Sequence, residues 1–260
     1  MPLPMNSNPP RSILIPVALA AVVALVAPIG PSLAARSPSD APDLRFSHLM
    51  IHVAAGAPER ASLERIGLTI SPVVNHDDGQ GTTTITVEFD NGFIELAWPD
   101  STVSLRPELA IVPRKWKRQS EWRTSGWSPF GIALLRGPHA PDSLPVPTWR
   151  ARAEWMPPGS GLEIITPRAD TLSPTIYVAG WSDTVPAAYR HHALGVHRVT
   201  GVCILAPRNY APTEAYRFMA GLRAFETGVG ETWCAELTLD EGRRHRIADL
   251  RPTLPLVLRY

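Results

Sequence analysis

Lysine is almost missing from this chain: Lys115 and Lys117 are the only two. Basic charge comes instead from arginines scattered among the acids, and the formal net charge is +1. That excludes a basic stripe able to track a phosphate backbone, and nucleic-acid partners with it. Cysteine is equally scarce. Cys203 and Cys234 stand alone, too few for a cysteine-built zinc site. An oxidising compartment would permit a bridge between them; two free thiols serving as small hydrophobes are the equal alternative. Phosphate loops and dinucleotide fingerprints are absent, so no nucleotide cofactor is expected. The segment GWSPFG at 126–131 is no nucleophile elbow, because Ser128 precedes a proline and Gly131 stands one place too far along.

Proline, by contrast, is abundant. Twenty-eight of them make long uninterrupted helices improbable, and clusters such as APDSLPVP at 140–147 mark surface connections. With 44% hydrophobic residues in 260, the chain can still bury a proper core, built largely of strands. The apolar run at 13–30, preceded by Arg11 and followed by PSLAARS, has the form of a secretory signal over 1–35. Cleavage near Ala34 or Ala35 gives an extracytoplasmic protein, periplasmic or secreted; retention of the run gives a membrane anchor. Residues 36–44 form a linker.

Beyond it the sequence reads as modules. A strand at 45–53 leads to a short helix, with Pro58 in its first turn and Gly67 as its stop, and a short strand follows at 68–74. TTTITVEF and GFIELAWP flank DNG at 90–92, a β-hairpin over 82–98. Residues 107–127, with both lysines and three tryptophans, read as a surface linker carrying packed rings and solvated charges. A second module, its helix replaced by a proline-rich connection, takes strands at 130–136, 148–155, 161–166 and 175–181. A third opens with a strand at 197–207 and a helix within 212–225, where Ala215, Phe218, Met219 and Leu222 share one face. Three strand-like runs then end the chain. The modules span about 45–98, 129–181 and 197–260, and the fold class is α+β, with repeated βαβββ units in a cupped mixed sheet.

Within the hairpin, strand alternation puts Glu95 on the face away from Ile94, Leu96 and Trp98. A carboxylate in an apolar strand is costly unless paired, hydrated or coordinated. His48, in SHLMIHV, is the matching candidate on the first strand. His52 shares its strand face, but their Cα atoms lie roughly 13 Å apart, too far to bind one ion together. His191, His192 and His197 sit in a loop-like stretch, and a metal cluster there is the less favoured reading.

A βαβββ unit with His in its first strand and Glu in its last resembles the half-site of glyoxalase-like domains in the vicinal oxygen chelate superfamily. The residues that carry the likeness are SHLMIHV, NHDDGQGTTT at 75–84, NGFIELAWP, and IYVAGW followed by HHALGVHRVTGV. The resemblance implies a cupped cavity for a small oxygen-rich organic molecule and one divalent metal ion, with lyase, isomerase or dioxygenase chemistry. His48 and Glu95 would be the metal ligands, Glu95 the candidate catalytic group, and His192 and Arg198 the substrate contacts. The second half departs from the pattern. Residue-for-residue alignment of TIYVAGW with GFIELAW puts Val178 opposite Glu95, so Glu163, His192, another residue or another chain, such as the second copy of a homodimer, would have to complete the metal site. A metal-free binding module is the alternative reading.

Overall fold

In 44–52 Leu44 and Phe46, then Leu49 and Ile51, alternate toward the core, the phase changing at a bulge between Phe46 and His48, and this strand organises everything around it. In the structure, a computed structural model describing residues 41–106, 113–153, 156–170, 172–181 and 186–260, that strand is β1 (Leu44–His52). Helix α1 (Arg60–Arg65) and strands β2 (Asn75–Asp77), β3 (Thr82–Phe89) and β4 (Gly92–Pro99) complete the first module. β3 and β4 are the expected hairpin. The strand expected at 68–74 is not formed. Pro72 lacks the N–H a ladder needs, Val73 and Val74 are exposed, and apart from Ser71 N–H on the Thr86 carbonyl the ladder with β3 begins at Asn75. The expected leader, most of the linker after it and the start of 107–127 lie outside the described residues.

The second module is β5 (Phe130–Arg136), β6 (Trp149–Ala151), β7 (Leu162–Ile164) and β8 (Thr175–Ala179). Its eight-stranded sheet with the first module runs β2-β3-β4-β1-β5-β8-β7-β6. The arrangement is pseudo-symmetric: β1 runs parallel to β4 as β5 does to β8, and β1 and β5 meet antiparallel at the centre. Gly92 makes the β1–β4 contact possible, because a Cβ there would lie 2.3 Å from the Ser47 carbonyl oxygen.

The last part contains β9 (Val199–Pro207), α4 (Glu214–Ala220), β10 (Phe225–Gly230), β11 (Cys234–Leu239), β12 (Ile247–Asp249) and β13 (Leu256–Arg259). Strand β10 is one more than the sequence reading found. Its FETGVG carries two glycines and an exposed Val229, so it lacks the β-branched signature; Gly228 lies where a Cβ would press on Leu205. The five-stranded sheet runs β10-β9-β11-β13-β12. Its parallel pairs, β9 with β10 and β11 with β13, flank an antiparallel β9–β11 centre. It thus repeats the pairing pattern of β4-β1-β5-β8-β7 in the larger sheet. Cys203 and Cys234 are free thiols on neighbouring strands, opposite Glu236 and Leu205 respectively.

One apolar core joins the two sheets. Leu49, Ile51, Ile94, Leu96, Ile132 and Ile176 of the larger sheet belong to it with Leu63 of α1, Met219 of α4, and Ile204 and Leu237 of the smaller sheet. Each such fully buried side chain contributes about 1.5–3 kcal/mol. The hairpin turn is also tied across, since Asn91 Nδ2 donates to the Val199 carbonyl and Val199 N–H donates back to Asn91 Oδ1. The other face of the larger sheet is concave and left for a cavity.

The segment expected as a surface linker instead forms α2 (Pro113–Ser120) and α3 (Trp122–Ser125). Lys117 is exposed as expected, but Lys115 and Gln119 are buried, and Trp116 packs its ring 4.6 Å from that of His52. Gln119 is held by a hydrogen bond from its Nε2 to the Ser128 carbonyl. No helix among the described residues is long and apolar enough to cross a membrane.

Candidate functional site

On the concave face, β1 presents His48, Met50 and His52, while β4 presents Phe93, Glu95 and Ala97. His48, Met50, Phe93 and Glu95, with residues of β2, β3, β5, β7 and β8, line a cavity of about 940 Å³. That volume suits a small organic ligand. α2 closes one end with Trp116 and Gln119.

His48 and Glu95, which the family resemblance pairs as metal ligands, approach each other there, with Nε2 and Oε2 3.5 Å apart. His48 Nε2 also shares a 2.8 Å hydrogen bond with the Tyr177 hydroxyl of β8, and Nδ1 lies 3.1 Å from Ser47 Oγ. The imidazole stacks on Phe93, with centroids 4.1 Å apart. Burial pushes His48 down to about 3, so the ring is neutral at physiological pH. The approach to Glu95 is therefore a polar contact and not an ion pair, despite its geometry. Burial raises the Tyr177 phenol well above its ordinary range, helped by the charges of Glu95 and Asp77, so the hydroxyl keeps its proton.

Tyr177 is the residue that sequence reasoning missed. The parallel registers explain the error: His48 pairs with Phe93, 45 residues on, whereas Gly131 pairs with Thr175, 44 residues on. The cavity-facing set on β8 is consequently Thr175, Tyr177 and Ala179, and Val178 turns into the core. On β5 the inward positions are Gly131, Ala133 and Leu135. Gly131 leaves room for Met50, whose Cβ would be 3.1 Å from a side chain there. The second half therefore offers a phenol where the first offers a carboxylate, and no imidazole.

Glu163 cannot complete a metal site. It lies on the opposite face of β7, paired with Arg136 and accepting from Thr148 Oγ1. His192 is also corrected: its Nδ1 accepts from Thr69 N–H at 3.1 Å and its Nε2 donates to the Glu88 carbonyl at 2.8 Å. Both nitrogens are spent tying a loop to the first module, and the ring is outside the cavity. Arg198 lies elsewhere too, beside Val199 and Asn91 in a separate groove, with its backbone N–H on Asp240. Among the described residues no three His, Cys, Asp or Glu side chains group as metal donors. Two donors, one of them already bonded to a phenol, do not fit the three-ligand set of a catalytic metal centre.

Asp77 is a further cavity residue the sequence reading left unassigned. It accepts from Thr82 Oγ1 at 2.9 Å, and burial raises its carboxyl to about 6. Together these groups can accept hydrogen bonds from a ligand at Glu95 and Asp77, and hold a ligand oxygen beside the neutral His48–Tyr177 pair.

No family model matches the chain, and no curated protein matches it. Among solved structures, a hypothetical protein from Staphylococcus aureus is similar over 83% of this chain and 98% of its own, at 11% identity and a TM-score of 0.46. A variant of methylmalonyl-CoA epimerase from Streptomyces coelicolor, in complex with 2-nitronate-propionyl-CoA, is 12% identical over 53% of this chain and 98% of its own, with a TM-score of 0.29. A mutant of 4-hydroxymandelate synthase from the same organism is 12% identical over 84% of this chain and 62% of its own, with a TM-score of 0.30. At this level of similarity they assign neither family nor activity to this chain.

Proposed function

We propose that this protein is an exported, glyoxalase-like binding module that holds a small oxygen-rich organic molecule in its cupped cavity without a metal ion. The observation that carries this reading is the meeting of His48, Glu95 and Tyr177 from three strands on one concave face. The paired modules support kinship with the vicinal oxygen chelate superfamily. The two-donor set favours binding through hydrogen bonds over chelation. In this reading Glu95 accepts from a ligand hydroxyl, and the His48–Tyr177 pair fixes the neighbouring oxygen. Export follows from the apolar leader and is part of the proposal.

The test is a thermal-shift screen of the full chain against diols, hydroxy acids and 1,2-dicarbonyl compounds, with and without EDTA. The reading expects a stabilising compound whose effect survives EDTA and shrinks in Glu95→Gln and Tyr177→Phe. Stabilisation that EDTA abolishes, or that neither variant changes, would overturn it.

A further inference from the structure

We infer that the ligand is two-faced, with a hydrogen-bond-donating edge that meets the first module and an apolar ring or chain that meets the second. This rests on the binding reading above and specifies its ligand class.

Pseudo-symmetry provides an internal comparison. In the first module Thr86 pairs with Glu95 and Thr84 with Ala97; the equivalent pairs in the second are Ile164 with Tyr177 and Leu162 with Ala179. All but Ala97 line the cavity. The same backbone positions thus carry threonine on one side and isoleucine or leucine on the other. Position by position the fold is alike, so the difference in chemistry is set by sequence and not by architecture. Asp77 extends the polar side and Leu135 the apolar side.

Each wall selects. Carboxylates at Asp77 and Glu95 accept hydrogen bonds, so the edge they meet carries hydroxyl or amino groups. Leu162 and Ile164 belong to an apolar cluster with Ala179, Met156 and Trp149, and a polar group placed against them would lose its water without compensation. Tyr177 stands between the two walls, its ring in the apolar cluster and its hydroxyl on His48. A saccharide carrying an aromatic aglycone has the required division of surface.

The probes are phenyl β-D-glucopyranoside and its matched halves, methyl β-D-glucopyranoside and anisole, titrated into the full chain by ligand-observed NMR. The expected result is at least tenfold tighter binding of the phenyl glucoside than of either half. Thr86→Val should weaken both glucosides about fivefold and leave anisole unchanged, whereas Ile164→Thr should weaken the phenyl glucoside and anisole. Leu162→Thr serves as the second apolar-wall variant if circular dichroism shows Ile164→Thr unfolded. A half that binds within threefold of the whole, or a Thr86→Val effect on anisole, overturns the two-faced ligand while leaving the binding cavity standing. Absence of binding by all three overturns the two-faced ligand, and the screen of diols, hydroxy acids and 1,2-dicarbonyl compounds decides the binding reading separately.

Discussion

The Tyr177 hydroxyl and His48 Nε2 are 2.8 Å apart although 129 residues separate them in the chain. The contact spans the pseudo-symmetry axis of the larger sheet, from the last strand of the second module to the first strand of the first. It makes Tyr177 the second module's contribution to the polar centre of the cavity. Tyr177→Phe keeps the ring in its apolar cluster and deletes only this bond. We expect a stability loss of about 1 kcal/mol in urea denaturation, and a larger proportional loss in ligand affinity, about five- to tenfold.

Gly92 sets how closely β4 approaches β1. Gly92→Ala drives a methyl group into backbone, at the Ser47 carbonyl, and backbone cannot rotate away. The expected cost is about 1–3 kcal/mol, with weakened ligand binding as His48 and Glu95 separate. Unchanged urea midpoints for this variant would mean that the strands tolerate the shift.

Beneath α2 lies a polar cluster that is poorly satisfied. Both ring nitrogens of His52 and the Trp116 Nε1 are buried, with no hydrogen-bond partner among the described residues. Burial pushes His52 down to about 3, with Lys115 adding repulsion, and Lys115 down to about 8. Between pH 6.5 and 3 the unfolded chain protonates His52 while the folded chain does not, so stability falls as pH drops through that window. His52→Leu should flatten this acid slope by up to about 1.4 kcal/mol per pH unit. Lys115→Met should raise the melting temperature at pH 7, and the gain should fade as pH rises from 8 to 10.5, where the wild-type amine sheds its proton.

Asp77 gives the opposite sign. Its folded carboxyl titrates near 6, above its ordinary 3.8, so the folded state holds the proton more tightly and stability falls as pH rises from 3.8 to 6. Asp77→Asn should therefore stabilise the protein at pH 7 and make little difference at pH 3.5. Melting curves at the two pH values check this.

Alternation was enough to turn Glu95 away from Ile94, Leu96 and Trp98, because a period of two survives in a strand whatever its neighbours are; only the family resemblance paired it with His48. Register was not legible. Tyr177 was hidden by a one-residue difference between two parallel pairings, which no local pattern encodes. His192 failed as a ligand contact for a related reason: only the folded loop shows the Thr69 N–H and the Glu88 carbonyl satisfying both ring nitrogens. The α2 segment misled differently. Its two lysines resemble a solvated surface, yet tertiary packing buries Lys115 and leaves Lys117 in water.

If the cavity recognises ligand oxygen through His48, Glu95 and Tyr177 without a metal, the chain should hold no ion at Glu95. Elemental mass spectrometry of the full chain and of Glu95→Ala, after incubation with zinc, manganese or nickel and gel filtration, measures this. Metal should stay well below one ion per chain, with no difference between the two proteins. Near-stoichiometric metal in the wild type that is lost in Glu95→Ala would contradict it and make Glu95 a ligand.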